Sequence, residues 1–266
     1  MRKLVFVTLC VLVAASVSLA DWNVGDPYKM HYAQLPDPNG WDIGPWNSHD
    51  PPPPYRLLPV ADDWRCTETG PVTDIHTWYS WKGGVVGAIT EFEAHIYADI
   101  PASQNPDGYS KPALTQLWAG RWVPGDPGAS TMRVTTRYYG TGDQGWYDPI
   151  GPQGVPQVIP HDHQDYYQLN IDNIKFPFVQ QAGTIYWVDF EFYTEGGQAG
   201  VKTSLQHYQD DAVYLSLVPQ PVYYKWNELR DPQTQQSLDL AFVITPEPTT
   251  LGLLLFGGLA LLRRRK

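Results

Sequence analysis

Two short stretches concentrate the side chains that could do chemistry. In Pro160-His161-Asp162-His163-Gln164-Asp165, two imidazoles stand two positions apart. In an extended segment such positions face the same way, so His161 and His163 could share a metal ion with a third ligand such as His76 or His207. The alternative is a hydrogen-bonded loop leading into the strand at Tyr166. In His207-Tyr208-Gln209-Asp210-Asp211, the adjacent carboxylates of Asp210 and Asp211 offer hard oxygen ligands of the kind Ca²⁺ takes. A structural calcium is the one cofactor this sequence suggests. The plainer reading is a solvated turn before a strand.

A third set is Glu91, Glu93, Asp189 and Glu191, from which a glycosidase pair could be drawn. These acids fall on the polar faces of strands, where they also keep a sheet surface soluble. No serine-nucleophile motif, phosphate loop, dinucleotide fingerprint or zinc-protease helix is present. The chain therefore reads as non-enzymatic, with a polysaccharide-active enzyme (glycoside hydrolase or lyase) as the alternative. On the same polar faces, Trp78, Tyr97 and Tyr139 are candidates for stacking on sugar rings, the apolar ring serving the sugar face and the polar tip a hydroxyl. Burial under the N-terminal arm or under long loops is their other reading.

The elements that must position these residues are strands. From Glu91 to Ile100, Phe92, Ala94, Ile96, Ala98 and Ile100 alternate with Glu91, Glu93, His95, Tyr97 and Asp99. The same period-two pattern runs through Thr73–Trp81, Tyr166–Ile174, Thr184–Tyr193 and Leu238–Ile244, and Gln116–Val123, Met132–Tyr139, Lys202–Leu205 and Ala212–Val218 read as further strands. Pro and Gly clusters, such as Pro124-Gly125-Asp126-Pro127-Gly128, punctuate them. About nine strands, most of them apolar on one face, predict an all-β, antiparallel two-sheet sandwich, jelly-roll-like. Ahead of it, residues 21–56 carry Pro51-Pro52-Pro53-Pro54 and read as a Pro-rich arm that Trp22, Tyr28, Trp41 and Trp46 tack onto the domain, which spans 57–245.

The two ends read as addresses. Met1-Arg2-Lys3, the apolar run to Ala15 and Ser18-Leu19-Ala20 form a secretory leader, residues 1–20, cleaved between Ala20 and Asp21. At the other end Pro246-Glu247-Pro248 precedes an apolar segment and Arg263-Arg264-Arg265-Lys266. Its twelve residues from Leu251 to Leu262 would reach only ~18 Å as a helix against a ~30 Å hydrocarbon core. Its cations would hold the C-terminus on the cytoplasmic side. Residues 246–266 resemble the PEP-CTERM sorting signal. That resemblance implies export by Sec-type machinery, transient tethering in the inner membrane of a Gram-negative bacterium, processing by an exosortase, and delivery to the cell surface or extracellular matrix.

The body is similar to a domain of unknown function recurrent in PEP-CTERM proteins, through Asp62-Asp63-Trp64-Arg65-Cys66, Val72-Thr73-Asp74-Ile75-His76, Gly183-Thr184-Ile185-Tyr186-Trp187, Asp210-Asp211-Ala212-Val213 and Ser237-Leu238-Asp239-Leu240-Ala241-Phe242. The resemblance carries no catalytic residues. Between the two ends lie 12 of the 18 Lys and Arg and 27 of the 28 Asp and Glu, a net charge of −15. Such a body repels phosphate backbones, so no nucleic-acid partner is expected; extracellular polysaccharide is the expected contact. Only Cys66 persists after leader removal, so no intrachain disulfide forms and the core must carry stability.

Overall fold

The computed structural model describes residues 21–44, 57–151, 155–219 and 222–245. The leader, Ala20, Trp46, the proline run, the Pro246–Pro248 motif and the terminal cations lie outside these. Fourteen strands follow in order: β1 (Trp41–Ile43), β2 (Leu57–Arg65), β3 (Gly70–Pro71), β4 (Asp74–Trp81), β5 (Ala88–Ile100), β6 (Lys111–Trp122), β7 (Arg133–Asp148), β8 (Gln157–Asp172), β9 (Val179–Gln180), β10 (Ile185–Glu195), β11 (Ala199–Lys202), β12 (Val213–Pro219), β13 (Val222–Glu228) and β14 (Phe242–Thr245). One six-stranded sheet runs β11-β1-β7-β8-β4-β14 and the other β13-β12-β2-β10-β5-β6. The fold is the all-β sandwich that the alternation predicts.

Its core is aromatic. Tyr79 of β4 meets Phe192 of β10 at 5.2 Å across the two sheets, and Phe92, Phe190 and Phe242 extend the contact. Cys66 is buried, and burial raises its thiol pKa, as suits a small core residue.

The first sheet closes on itself at one end. β11 pairs with β4 as well as with β1, so β11, β1, β7, β8 and β4 form a ring. The stave that completes it, β1, comes from the N-terminal arm. It lies parallel to β7, with Trp41 opposite Gly145, and a Cβ on Gly145 would stand 2.4 Å from the Trp41 ring. Polar side chains are buried between these staves. Asp42 Oδ2 takes both His163 Nε2 at 3.0 Å and Lys202 Nζ at 3.2 Å, all three side chains being fully buried. Burial opposes a charged His163 ring, but the hydrogen bonds and charges of Asp42 and Asp162 outweigh it and raise its pKa. Burial lowers the Lys202 pKa, with Asp42 working against that.

Residues of the arm ahead of β1 lie on the first sheet's outer face. The Trp22 carbonyl accepts from Arg137 and Gln168, and Asn170 donates to Asp21 at 2.9 Å. Bridges tie Met30 to Cys66, Gln34 to Phe242 and Pro36 to Ser204. β4 is therefore buried on both faces.

Removing one partner of a buried ion pair costs about 3–5 kcal/mol, because the other charge stays buried without compensation. Asp42→Ala should lower stability by that amount in chemical denaturation. An exposed change such as Leu117→Ala should move it by less than about 0.5 kcal/mol.

Candidate functional site

The outer face of the second sheet gathers the ionisable residues of β5 and β10. His95 lies opposite Asp189, and Glu93 opposite Glu191. Strand alternation puts all four on one side, with Tyr97 and Glu91 extending the row along β5. Asp189 Oδ1 accepts from the His95 backbone N–H at 2.9 Å and lies 2.8 Å from His95 Nδ1. Asp189 Oδ2 accepts from the Tyr97 hydroxyl at 2.6 Å. Glu191 Oε1 stands 3.7 Å from His95 Nδ1, and Tyr193 donates to Glu191 Oε2 at 3.2 Å. Arg121 on β6 grips Glu91 with two hydrogen bonds, at 2.5 and 2.8 Å, and lies 3.5 Å from Glu93.

Burial disfavours a charged His95, but the charge and hydrogen bond of Asp189, helped by Glu191 and Glu93, overcome it and raise the pKa to about 9. Burial, then the charge of Asp189, pushes Glu191 up to about 7, with His95 opposing. Burial and a hydrogen bond with Glu91 raise Glu93. Donor atoms of Glu93, His95 and Glu191 lie within 4.8 Å of one another, close enough to share a divalent cation. Imidazolium and guanidinium already supply positive charge there, and a metal would have to displace the His95 proton.

The stacking candidates are not displayed on the surface. Trp78 is fully buried beneath the arm, with Trp22 edge-on at 6.1 Å. Tyr97 is buried against Trp226 at 5.9 Å, in a second apolar cluster with Ala61, Trp187 and Val213. Tyr139 is half-buried between Trp78 and Tyr166. Burial under the arm, the other reading, holds for Trp78, whereas Tyr97 is buried by the Trp226 ring of β13.

The paired imidazoles do not converge. His161 has a positive φ of 54°, which breaks the extended geometry that would align positions two apart. Its ring points to solvent beside Asp143 at 2.6 Å, while His163 turns inward with both nitrogens on carboxylates, Asp42 and Asp162. Nor do Asp210 and Asp211 act together. Asp210 accepts from Ser110, and Asp211 pairs with Arg230 at 2.8 Å.

An accessible aromatic groove lies elsewhere, between β7 of the first sheet and the β12–β13 edge of the second. Tyr109, Tyr147, Tyr214, Asn227, Glu228, Arg230 and Gln235 line a cavity of about 370 Å³. The size falls within the range of small-molecule sites. The Tyr109 hydroxyl is fixed on the Trp226 carbonyl at 2.7 Å, and Arg230 on Glu228 at 3.0 Å. Burial raises the Tyr147 hydroxyl to about 12, so it stays a neutral donor.

A family profile, domain of unknown function DUF7901, matches residues 30–245. The chain belongs to this family. No curated protein matches it, and no solved structure does. The DUF7901 domain thus takes in the arm from Met30 onward, including the stave β1, as well as both sheets.

Both His95 and Glu191 favour their protonated forms in the fold. The His95 contribution to stability is full below its ordinary 6.5 and is lost as pH rises through about 9. That of Glu191 is full below 4.5 and is lost as pH rises through about 7. Asp189→Asn leaves a buried His95 without its carboxylate, so its NMR titration midpoint should drop by more than one unit. The stability lost between pH 7 and 9 should shrink with it.

Proposed function

We propose that this DUF7901 protein is an exported, non-catalytic component of the cell envelope or extracellular matrix, and that it holds polysaccharide in the Tyr109–Tyr147–Tyr214 groove. The observation that carries this reading is the make-up of the groove. Three half-buried phenol rings offer faces for sugar C–H surfaces, and Asn227, Glu228, Arg230 and Gln235 offer planar hydrogen-bonding groups. A body of net charge −15 repels polyanions, so an uncharged glycan suits it.

The terminal sequences support the address. The leader with its Ala20–Asp21 junction, the Pro246-Glu247-Pro248 motif and the Arg263–Lys266 cluster fit Sec-type export, a transient inner-membrane stop and exosortase processing. Mass spectrometry of the protein from its native host should find Asp21 at the N-terminus and the apolar tail gone. An intact C-terminus in cells with an active exosortase would contradict that.

A second reading, a glycoside hydrolase or lyase, is favoured by one observation. Glu93 and Glu191 lie within 4.8 Å, near the ~5 Å of retaining glycosidases, and Glu191 is held near pH 7 as a general acid would be. Against it, Glu191 and His95 are already bonded to Tyr193 and Asp189. An array of neutral and anionic glycans, followed by product analysis, separates the two. Binding to neutral glycans without turnover, weakened roughly tenfold by Tyr147→Ala or Tyr214→Ala, is expected. Depolymerisation that disappears in Glu191→Gln would establish the enzyme instead.

A further inference from the structure

Along one stretch β6 carries two more residues than its partner β5. Asp99 pairs with Pro112, but Tyr97, two residues back, pairs with Gln116, four residues on. A bulge of this kind leaves its extra residues out of the ladder and re-aims their side chains. Leu114, within it, is 67% exposed. A cavity of about 360 Å³ lies against this bulge, with Ile100, Pro112 and Leu114 on one side and Tyr224 and Trp226 of β13 on the other. Its size and its apolar walls are those of small-molecule sites. It shares no lining residue with the tyrosine groove.

The polar groups of this cavity are placed by the loop between β5 and β6. Buried Asn105 accepts from the Asp107 N–H at 3.2 Å and donates to the Tyr109 carbonyl at 2.6 Å. The Tyr109 hydroxyl then ties the loop to the Trp226 carbonyl at 2.7 Å. The loop so held brings two cations from different strands onto one carboxylate. Lys111 of β6 donates to Asp107 Oδ2 at 3.2 Å, and Lys225 of β13 donates to Asp107 Oδ1 at 3.3 Å. The hydrogen bond from Lys111, helped by that from Lys225, lowers the Asp107 pKa, so this carboxylate stays ionised. Among the described lining residues Asp107 is the one acid, against two lysines. The cavity is thus locally positive in a body of net charge −15. Each ammonium carries three N–H donors, and Asp107 takes one from each. A further donor stands in the wall. Trp226 is only 3% exposed, and its indole Nε1–H has no hydrogen-bond partner. A buried donor without an acceptor is costly, and an acceptor supplied by a ligand relieves that cost.

We propose that this cavity binds a small monocarboxylate carried on a single ring, with the carboxylate on Lys111 and Lys225 and the ring between Leu114, Tyr224 and Trp226. Charge-assisted bonds from two ammonium groups hold the acid end, and the half-exposed Tyr224 ring offers a face to the ligand ring. One net positive charge suits one carboxylate, whereas the acidic body repels a long polyanion. A sugar acid and an aromatic acid share this chemistry. The site is independent of the proposed glycan groove.

The test is calorimetric titration of the full chain at pH 7 and low salt with two matched pairs, glucuronate against glucuronamide and benzoate against benzamide. The acid of at least one pair should bind at one equivalent, roughly tenfold or more tighter than its amide, and that pair identifies the kind of ring. Lys111→Met or Lys225→Met should weaken it by a similar factor, and added salt should weaken it as well. Lys175→Met removes a lysine outside this cavity and should leave binding unchanged. The Trp226 indole ¹H–¹⁵N signal should shift as the acid saturates. No binding of either acid, amides that bind as tightly as the acids, or equal weakening by Lys175→Met would overturn the proposal. So would an acid that binds without moving the Trp226 signal, since the ligand would then lie elsewhere.

Discussion

The clamp of His163 and Lys202 on Asp42 is the contact on which the rest of the structure depends. It fastens a three-residue strand from the N-terminal arm between β11 and β7 and so closes the first sheet into a ring. A strand so short has little backbone pairing of its own. The buried charges hold it because neither Lys202 nor His163 has water to turn to if Asp42 leaves. Once β1 is seated, the arm ahead of it lies across the outer face of the sheet, and Trp22 can cap Trp78.

The same strand sets the groove. Trp41 of β1 stands 6.3 Å from Tyr147, on one wall. Its indole N–H donates to Asp231 at 2.7 Å, which fixes the loop that carries Arg230 and Gln235 on the other. Asp231 in turn caps that loop by accepting from the Gln233 and Thr234 backbone N–H groups. A position deep in the arm thus orders two walls drawn from different sheets. The sandwich edge presents its half-buried tyrosine rings together with polar side chains in one groove.

The apolar half of the fold was legible from alternation alone, as Phe92, Ala94 and Ile96 on β5 and Val188, Phe190 and Phe192 on β10 illustrate. β2 was not, because Asp62 and Asp63 interrupt its apolar pattern and only tertiary partners make their burial tolerable. The polar half misled for a related reason. Period two tells which residues share a face, but not whether the arm or a loop later covers it. Trp78 and Tyr97 accordingly read as candidates for display to a sugar and are buried. A left-handed residue at His161 undid the two-apart histidine rule, and no local signal marks that conformation. The acids Glu91, Glu93, Asp189 and Glu191 were grouped correctly, since they depend only on alternation and pairing. The groove was out of reach, since Tyr109, Tyr147, Tyr214 and Arg230 meet only through the packing of separate strands.

The central claim is that an uncharged glycan is held at the sandwich edge rather than on a sheet face. A crystal structure of the protein soaked with neutral oligosaccharides tests it most directly. The account predicts sugar rings against Tyr147 and Tyr214, with hydroxyls reaching Asn227, Glu228 or Arg230. Sugar bound along the Glu93–Glu191 row of the second sheet, with the tyrosine groove holding only water, would contradict it.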